Sequence, residues 1–289
     1  MSERRTDLAL EAQELFEKTN KGKKLPGLRK QSFRRSGCRV HTVEVTDADC
    51  ATALGKPIGR YVTVELPGTG GAFLRYSAAA VAEQLRALLP PSPSSALVVG
   101  LGNDDMTPDA FGPMTLRHVL VTRHLAREFP AFFPVGTLTP LVLARTGLEA
   151  QELVRGAVET LHPSVVIAVD ALAARSLHRV CATVQLSDAG IVPGSGVGNA
   201  RRAFDRETLG VPVVALGVPT VVDASTLALD LLEEAGAPLP DPEALRGADV
   251  FVTPRDIDAK VRELSRLAGY AIDLALQHLS FDELSELLA

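Results

Sequence analysis

The stretch ALVVGLGNDDMTPDAFGP, residues 96–113, decides the fold. It opens with the apolar run Ala96 to Leu101, which is shorter than a typical helix and is bounded by turn-forming residues. Runs of this kind are typical of strands that are buried on both faces of a parallel sheet. A second such run, Val165 to Val169, leads directly into Asp170. Because helical patterns separate these runs, the sequence predicts a βαβ arrangement.

Periodicity predicts further elements on both sides of this stretch. The strands expected are His41–Thr46 and Arg60–Leu66 as a half-buried antiparallel element, then Gly136–Ala144, Cys181–Leu186, Val213–Val218 and Val250–Thr253. The helices expected begin at Ser77, near Gly112 (to Glu128), at Gln151 (to Leu161) and after Asp223, with a final helix whose apolar stripe runs from Ile257 to Leu274. The alternation predicts one α/β domain with a mostly parallel sheet and helices on both faces.

Composition excludes several classes of protein. The 289 residues are 46% hydrophobic and 22% charged, which is typical of a packed globular protein. A net charge of -5 gives no global positive field for nucleic acid. Three cysteines without a CxxC motif argue against a disulfide framework or a usual zinc site. Neither a signal peptide nor an uninterrupted apolar span is apparent, so we expect a cytoplasmic protein without a membrane segment.

The first 37 residues are polar and contain a basic run. The run consists of Lys21, Lys23, Lys24, Arg29, Lys30, Arg34 and Arg35, spaced by Gly, Pro and Ser. We interpret this region as a mobile arm with a flexible basic segment near residues 20–37. Since no stacking aromatic residues interleave with the charges, solvation is the better explanation than contact with nucleic acid.

Two acids mark the candidate chemistry. Asp109 follows the strand Ala96 to Leu101, and Asp170 follows the strand Val165 to Val169. Ligands of open parallel sheets bind outside the carboxyl ends of the strands, so both acids can face one crevice. A desolvated pair of carboxylates can share a proton, activate water and protonate a leaving amine. The alternative is that either acid only caps the following helix.

Other catalytic patterns are missing. The sequence contains no HExxH, GxSxG or GxxxxGK[ST] motif, and its six histidines are scattered. His118 and His124 are interpreted as solvent-facing residues rather than metal ligands. The loop Gly194 to Asn199 has the composition of an anion-binding nest, although its spacing is not GxGxxG and a structural loop is the simpler interpretation.

Five segments, taken together and in order, resemble the germination protease family. They are GLGNDDMTPDAFGP, VTRHL, VIAVDALAARS, QLSDAGIVPGSGVGN and TLGVPVVALGVPTVVDAST, and RRTDLALE, RYVTVEL and VTPRDIDA are also similar to family segments. The resemblance implies an endopeptidase that degrades small acid-soluble spore proteins during germination. It also implies a tetramer. The loop GLGN, with an acid three residues before Gly112, is in addition similar to hydrogenase-maturation peptidases, and this similarity implies a phosphorylase/hydrolase-like fold.

The resemblance further assigns roles to individual residues. It implies that Asp109 and Asp170 are the catalytic pair. Because the sequence shows no third metal ligand to match them, we expect no metal, and we expect no cofactor. It also implies a zymogen that cuts itself between Asp7 and Leu8, so that residues 1–7 are a propeptide and residues 8–289 a single peptidase domain. Further residues expected to line the site are Asn103, Asp188, Gly194, Ser195 and Gly196.

The sequence departs from the family pattern at two places, and two alternatives to the endopeptidase function remain open at this point. The long insertion usual in the family is shortened between Leu232 and Asp249, and Asp104 and Asp105 differ from common family residues. One rival is a metal-sensing maturation peptidase of the hydrogenase type. The other is a non-catalytic α/β protein whose loop Gly194 to Asn199 holds an anion.

Overall fold

A computed structural model describes residues 5–20, 24–68, 73–198, 200–238, 240 and 250–288. Its strands are β1 Leu28–Arg35, β2 Cys38–Val45, β3 Gly59–Glu65, β4 Ala96–Gly100, β5 Val135–Leu138, β6 Val165–Ala174, β7 Thr183–Ser187, β8 Val213–Asp223 and β9 Phe251–Val252. Its helices are α1 Ala9–Thr19, α2 Ala48–Leu54, α3 Phe73–Leu88, α4 Phe111–Leu116, α5 Leu143–Thr146, α6 Ala150–Leu161, α7 Arg206–Leu209, α8 Ala224–Glu234, α9 Ile257–Leu276 and α10 Phe281–Leu287.

These strands form one mixed sheet in the order β1-β2-β3-β7-β8-β6-β4-β5, with β9 added to β8. Strands β8, β6, β4 and β5 run parallel to their neighbours within the core. Strands β1, β2, β3 and β7 add an antiparallel half to this core. The α/β fold with a parallel core is therefore confirmed, as is the antiparallel pairing of the two early strands.

Helices cover both faces of the sheet, as predicted. On one face, α3 and α9 bury a large cluster that includes Val98, Ile167 and Leu216. On the other face, α6 packs Val154 and Val158 against the parallel strands, while α1 and α2 cover the antiparallel half. Since strand side chains alternate between faces, the fully apolar β4 can contribute to both clusters.

The predicted mobile arm is wrong for the described residues of that region. Residues 28–35 form β1, which pairs antiparallel with β2 along its whole length. The basic side chains are mostly exposed because β1 is an edge strand, where Lys and Arg discourage pairing with another chain. Upstream, Leu8 and Ala9 are fully buried, and α1 continues to Thr19. Residues 21–23 lie outside the described part.

Two predicted elements have different bounds because tertiary contacts compete with local propensity. The helix expected to reach Glu128 ends at Leu116, and a buried carboxylate from α9, Asp273, accepts the backbone N–H of Leu120. The strand expected over residues 136–144 ends at Leu138 because Pro140 cannot donate to a ladder. A one-turn helix, α5, follows it.

None of the described helices is long and apolar enough to cross a membrane.

Candidate active site

Asp109 lies on a tight loop beyond the end of β4. The backbone N–H of Asn103 donates to Asp109 Oδ2 at 2.8 Å, and the residue ends a single turn of 3-10 helix. Gly102 has a φ of +111°, and a Cβ there would lie 2.0 Å from the carbonyl oxygen of Asp109. Because only glycine tolerates both conditions, the GLGN segment brings the loop back onto the strand end. The following helix, α4, is capped at Ala110 without a side-chain bond, so Asp109 is not its cap.

Asp170 lies within β6 rather than after it. The strand continues to Ala174, and Asp170 pairs with Gly217 of β8. The side chain is only 4% exposed, and its Oδ1 accepts the N–H of Ala171 at 3.0 Å. Since no helix begins at this point, the helix-cap interpretation is wrong for Asp170 as well.

The two carboxyl groups line one cleft of about 640 Å³. Burial raises the pKa of Asp109, while the N–H of Asn103 partly offsets that rise. The pKa of Asp170 is raised well above its ordinary value, first by burial and then by the charges of Asp109 and Asp7. A neighbouring negative charge and burial both disfavour the ionised form of a carboxyl group, so these surroundings favour the protonated form of Asp170.

A third carboxyl group, that of Asp7, enters the same cleft. Its Oδ2 accepts the N–H of Ala173 at 2.8 Å and its Oδ1 accepts the hydroxyl of Ser195 at 2.7 Å. The backbone N–H of Asp7 donates to the carbonyl of Ala173 at 2.9 Å. The N-terminal segment is thus attached to the edge of β6 beyond the end of β4, where an extended peptide would bind.

The remaining predicted site residues divide into three groups. Asn103 and Gly194 line the cleft with the two aspartates. Ser195 binds Asp7, and a Cβ on Gly196 would lie 2.2 Å from Asp7 Oδ2, so both belong to the cradle of that carboxylate. Asp188 is exposed and does not line the cleft, because its Oδ1 accepts the N–H of Arg60 at 2.7 Å. Asn199 lies outside the described residues.

Two polar residues that bind the main chain at Asp7 were not identified from the sequence, and they line a second cavity beside the cleft. Lys56 donates to the carbonyl oxygens of Thr6 and Asp7, both at 3.0 Å. Gln185 donates to the same oxygen of Asp7 at 3.1 Å. Gln185 is part of the QLSDAG segment, whereas nothing in the sequence around Lys56 distinguishes it from other lysines.

Among the described residues, no group of three or more His, Cys, Asp and Glu side chains is placed to hold a metal ion. Of the three thiols, Cys181 has its pKa raised to about 11 by burial.

The fold and the cleft define an α/β protein with a strand-end site built from two coupled, desolvated carboxyl groups. A family model described as "Germination protease" matches residues 6–235. The chain belongs to the germination protease family and is a peptidase.

Curated relatives support this membership along nearly the whole chain. A germination protease from Clostridium perfringens is 37% identical over 94% of this chain and 95% of its own length. Another, from Caldanaerobacter subterraneus, is 37% identical over 98% of both chains. The germination protease of Bacillus velezensis is 43% identical over 79% of this chain and 66% of its own.

Among solved structures, the chain is similar to a [NiFe] hydrogenase maturation protease, HycI, from Thermococcus kodakarensis. The identity is 15% and the TM-score 0.34, over 66% of this chain and 99% of the other.

Proposed function

We propose that this peptidase is an aspartate-dependent endopeptidase that initiates the degradation of small acid-soluble, DNA-binding spore proteins during germination. The observation that carries the proposal is the pairing of Asp109 and Asp170 in one cleft, where burial and mutual charge raise the pKa of Asp170. Family membership supports the substrate class, and the acidic chain suits basic substrates. The spore cytoplasm and a homotetramer stay predictions from the resemblance.

The surroundings of Asp109 and Asp170 favour different protonation states, so one can act as the base and the other as the acid. Asp109 is half-buried and keeps a backbone N–H on its Oδ2, which favours the ionised form. Asp170 is more deeply buried and faces two negative charges, which favours the protonated form. In the proposed reaction, Asp109 takes a proton from water as the water oxygen adds to the peptide carbonyl carbon. Asp170 then gives its proton to the nitrogen of the leaving amine.

We further propose that the chain is made as a zymogen that cuts the bond between Asp7 and Leu8. Support comes from the position of Asp7, whose carboxylate is bound by Ala173 and Ser195 beside the catalytic pair. Leu8 is fully buried against Leu172 and Val180. Asp7 thus enters the cleft, and the apolar Leu8 and then Ala9 follow it, in agreement with the family's acidic-apolar-Ala cleavage pattern.

Incubation with a disordered basic protein carrying that pattern, with and without a chelator, tests the proposal. We expect chelator-resistant cleavage on the carboxyl side of the acidic residue, after the N-terminal segment has been removed. Cleavage that a chelator abolishes would instead support the metal-sensing maturation peptidase. If processed protein left the substrate intact, the anion-binding alternative would be favoured, although the loop at Ser195 already binds a carboxylate of its own chain.

A further inference from the structure

The carbonyl oxygen of Asp7 is held by two donors from distant parts of the chain. Lys56 Nζ lies 3.0 Å from this oxygen and Gln185 Nε2 lies 3.1 Å from it. The other end of the Gln185 amide accepts the N–H of Ala9 at 2.7 Å. The peptide bond between Asp7 and Leu8 is therefore fixed on its carbonyl side and on its downstream side.

Strand register places this carbonyl on the same face of the sheet as a catalytic acid. Asp170 of β6 pairs with Gly217 of β8, and Gly217 pairs with Gln185 of β7. Residues directly paired across neighbouring strands present their side chains to the same face. The side chain of Leu172 fills the space above Gly217, where a Cβ would lie 2.5 Å from Leu172 Cδ1. Leu172 and Asp7 border both the cleft of the two acids and the neighbouring cavity that Lys56 and Gln185 line.

Lys56 reaches this position because of how α2 ends. Gly55 caps the helix in the left-handed conformation with a φ of 63°, and the N–H of Lys56 donates to the carbonyl of Ala51. Such a glycine cap reverses the chain direction after a helix. The turn directs the lysine side chain toward the N-terminal segment, where it contacts both Thr6 and Asp7.

We propose that Lys56 and Gln185 form the oxyanion site of the self-processing reaction. As water adds to the carbonyl carbon of Asp7 and its proton passes to Asp109, the electron pair of the C=O double bond moves onto the oxygen. Lys56 and Gln185 bind the resulting negative charge. When the tetrahedral carbon collapses, the pair returns, the C–N bond breaks, and the nitrogen of Leu8 takes the proton of Asp170. This inference rests on the zymogen processing proposed above.

The positive charge of Lys56 is the reason to infer that it stabilises the oxyanion and does not only hold the N-terminal segment in place. Within the described residues, its hydrogen bonds go to two neutral carbonyl oxygens. Burial lowers the pKa of Lys56, while the charges of Asp7 and Glu11 raise it. A buried ammonium is poorly compensated by neutral carbonyls and much better by an oxyanion. Its interaction therefore strengthens as the transition state forms, which is the requirement for catalysis.

The test uses the full-length chain and follows the loss of residues 1–7 by intact-mass spectrometry. Lys56→Met removes one donor. Gln185→Glu removes the other, yet keeps an oxygen for the N–H of Ala9. We expect each variant to process roughly 100-fold more slowly or worse, as for other single oxyanion donors. Lys56→Arg should recover part of the rate. Lys30→Met, at an exposed lysine that pairs with Glu17, should process at the parent rate.

Hydrogen exchange separates catalysis from anchoring. If the proposal is right, the amides of Asp7 and Ala9 stay as protected in the slow variants as in the parent, because the segment is still bound. Slow processing together with lost protection would reduce Lys56 and Gln185 to structural anchors and overturn the inference. Parent-like rates in Lys56→Met and Gln185→Glu would also overturn it.

Failure of the proposed aspartate mechanism or of the zymogen would give a different result from failure of the oxyanion site. If Asp109→Asn processed as fast as the parent, the aspartate mechanism would be wrong, while the oxyanion site would still be judged by the Lys56 and Gln185 variants. If the parent left the bond intact at every pH tested, both the zymogen and its oxyanion site would be refuted.

Discussion

Burial and charge act differently on Asp109 and Asp170 although both acids line one cleft. The pKa of each is raised chiefly by burial, but only Asp170 also responds to two neighbouring negative charges. Each carboxyl group accepts one backbone N–H, from Asn103 and Ala171 respectively. The difference therefore arises from depth and from the neighbouring charges of Asp109 and Asp7, and it favours the protonated form at Asp170.

For these two residues, we predict that Asp109→Asn and Asp170→Asn each lower the rate of peptide cleavage by about 100-fold to 10,000-fold, the usual contribution of acid–base catalysis. An amide is nearly isosteric with a carboxyl group but cannot accept or donate the proton. Because neither variant is expected to process itself, cleavage rates on a peptide substrate are compared for chains produced to begin at Leu8, and thermal unfolding should show an intact fold. Full activity in either variant would remove that acid from the mechanism.

Among the elements, the contact between α4 and the ends of β4 and β6 positions Asp109. A Cβ on Gly112 would lie 2.2 Å from the carbonyl oxygen of Leu101 and 2.5 Å from that of Val169. Both atoms belong to buried backbone that cannot rotate away. The first turn of α4 can therefore approach the sheet only with glycine at this position, three residues after Asp109.

We predict that Gly112→Ala destabilises the protein by about 1–3 kcal/mol or more, the usual cost of overpacking, and reduces activity by moving Asp109. Gly156→Ala is the matched control, because a Cβ there meets nothing within 4 Å in the interior of α6. That control should stabilise the helix by roughly 0.5–1 kcal/mol. Denaturant unfolding of both variants measures the difference, and equal stabilities would contradict the packing argument.

The packing of α9 against the segment after α4 depends on a buried acid. Burial raises the pKa of Asp273 to about 8, although the N–H of Leu120 donates to both of its oxygens. From its ordinary pKa of 3.8 up to about 8, the folded protein keeps a proton that the unfolded chain has lost. The free energy of unfolding should therefore fall as pH rises through this window and level off above it.

We predict that Asp273→Asn removes most of this pH dependence. The amide oxygen of the asparagine still accepts the N–H of Leu120. Because an amide does not titrate, the folded and unfolded chains bind the same number of protons at this position. The variant should gain stability relative to the parent as pH rises, by about 1.4 kcal/mol for each pH unit within the window. Chemical unfolding of both proteins at pH 5 and at about pH 8 measures the gain. Asp258→Asn, an exposed position in the first turn of α9, should leave the parent's dependence unchanged.

For the whole molecule, the N-terminal segment contacts the cleft in which the proposed chemistry and the proposed processing take place. The charge of Asp7 raises the pKa of Asp170. In the proposed reaction, the residue next to the cut therefore favours the protonated form of the acid that serves the leaving amine. Once residues 1–7 have left, this contribution to the pKa disappears. The processed enzyme should then need a lower pH than the zymogen to keep Asp170 protonated.

We predict that self-processing becomes faster on mild acidification, because the protonated fraction of Asp170 increases. In Asp7→Asn the rise in rate should begin at a lower pH than in the parent, since the substitution removes a charge that raises the pKa of Asp170. Processing rates between about pH 4 and pH 8, each normalised to its own maximum, provide the comparison. Superimposable profiles would show that Asp7 does not influence the acid.

The sequence by itself determined the α/β class, the buried strands β4 and β6, and the expectation that Asp109 and Asp170 face one cleft. These features depend on local patterns, namely apolar runs and the residues that directly follow them, which the chain order preserves. The same reasoning could not foresee that β6 extends past Asp170, because strand length depends on pairing with β8.

Only the tertiary structure decided where the basic region and the N-terminal segment lie. Residues 28–35 form an edge strand because β2 offers them a partner. Lys56 and Gln185 meet at the carbonyl of Asp7 although 129 sequence positions separate them (185 − 56). Local periodicity carries no information on such contacts, since they depend on how a helix cap, a strand register and a chain end come together in space.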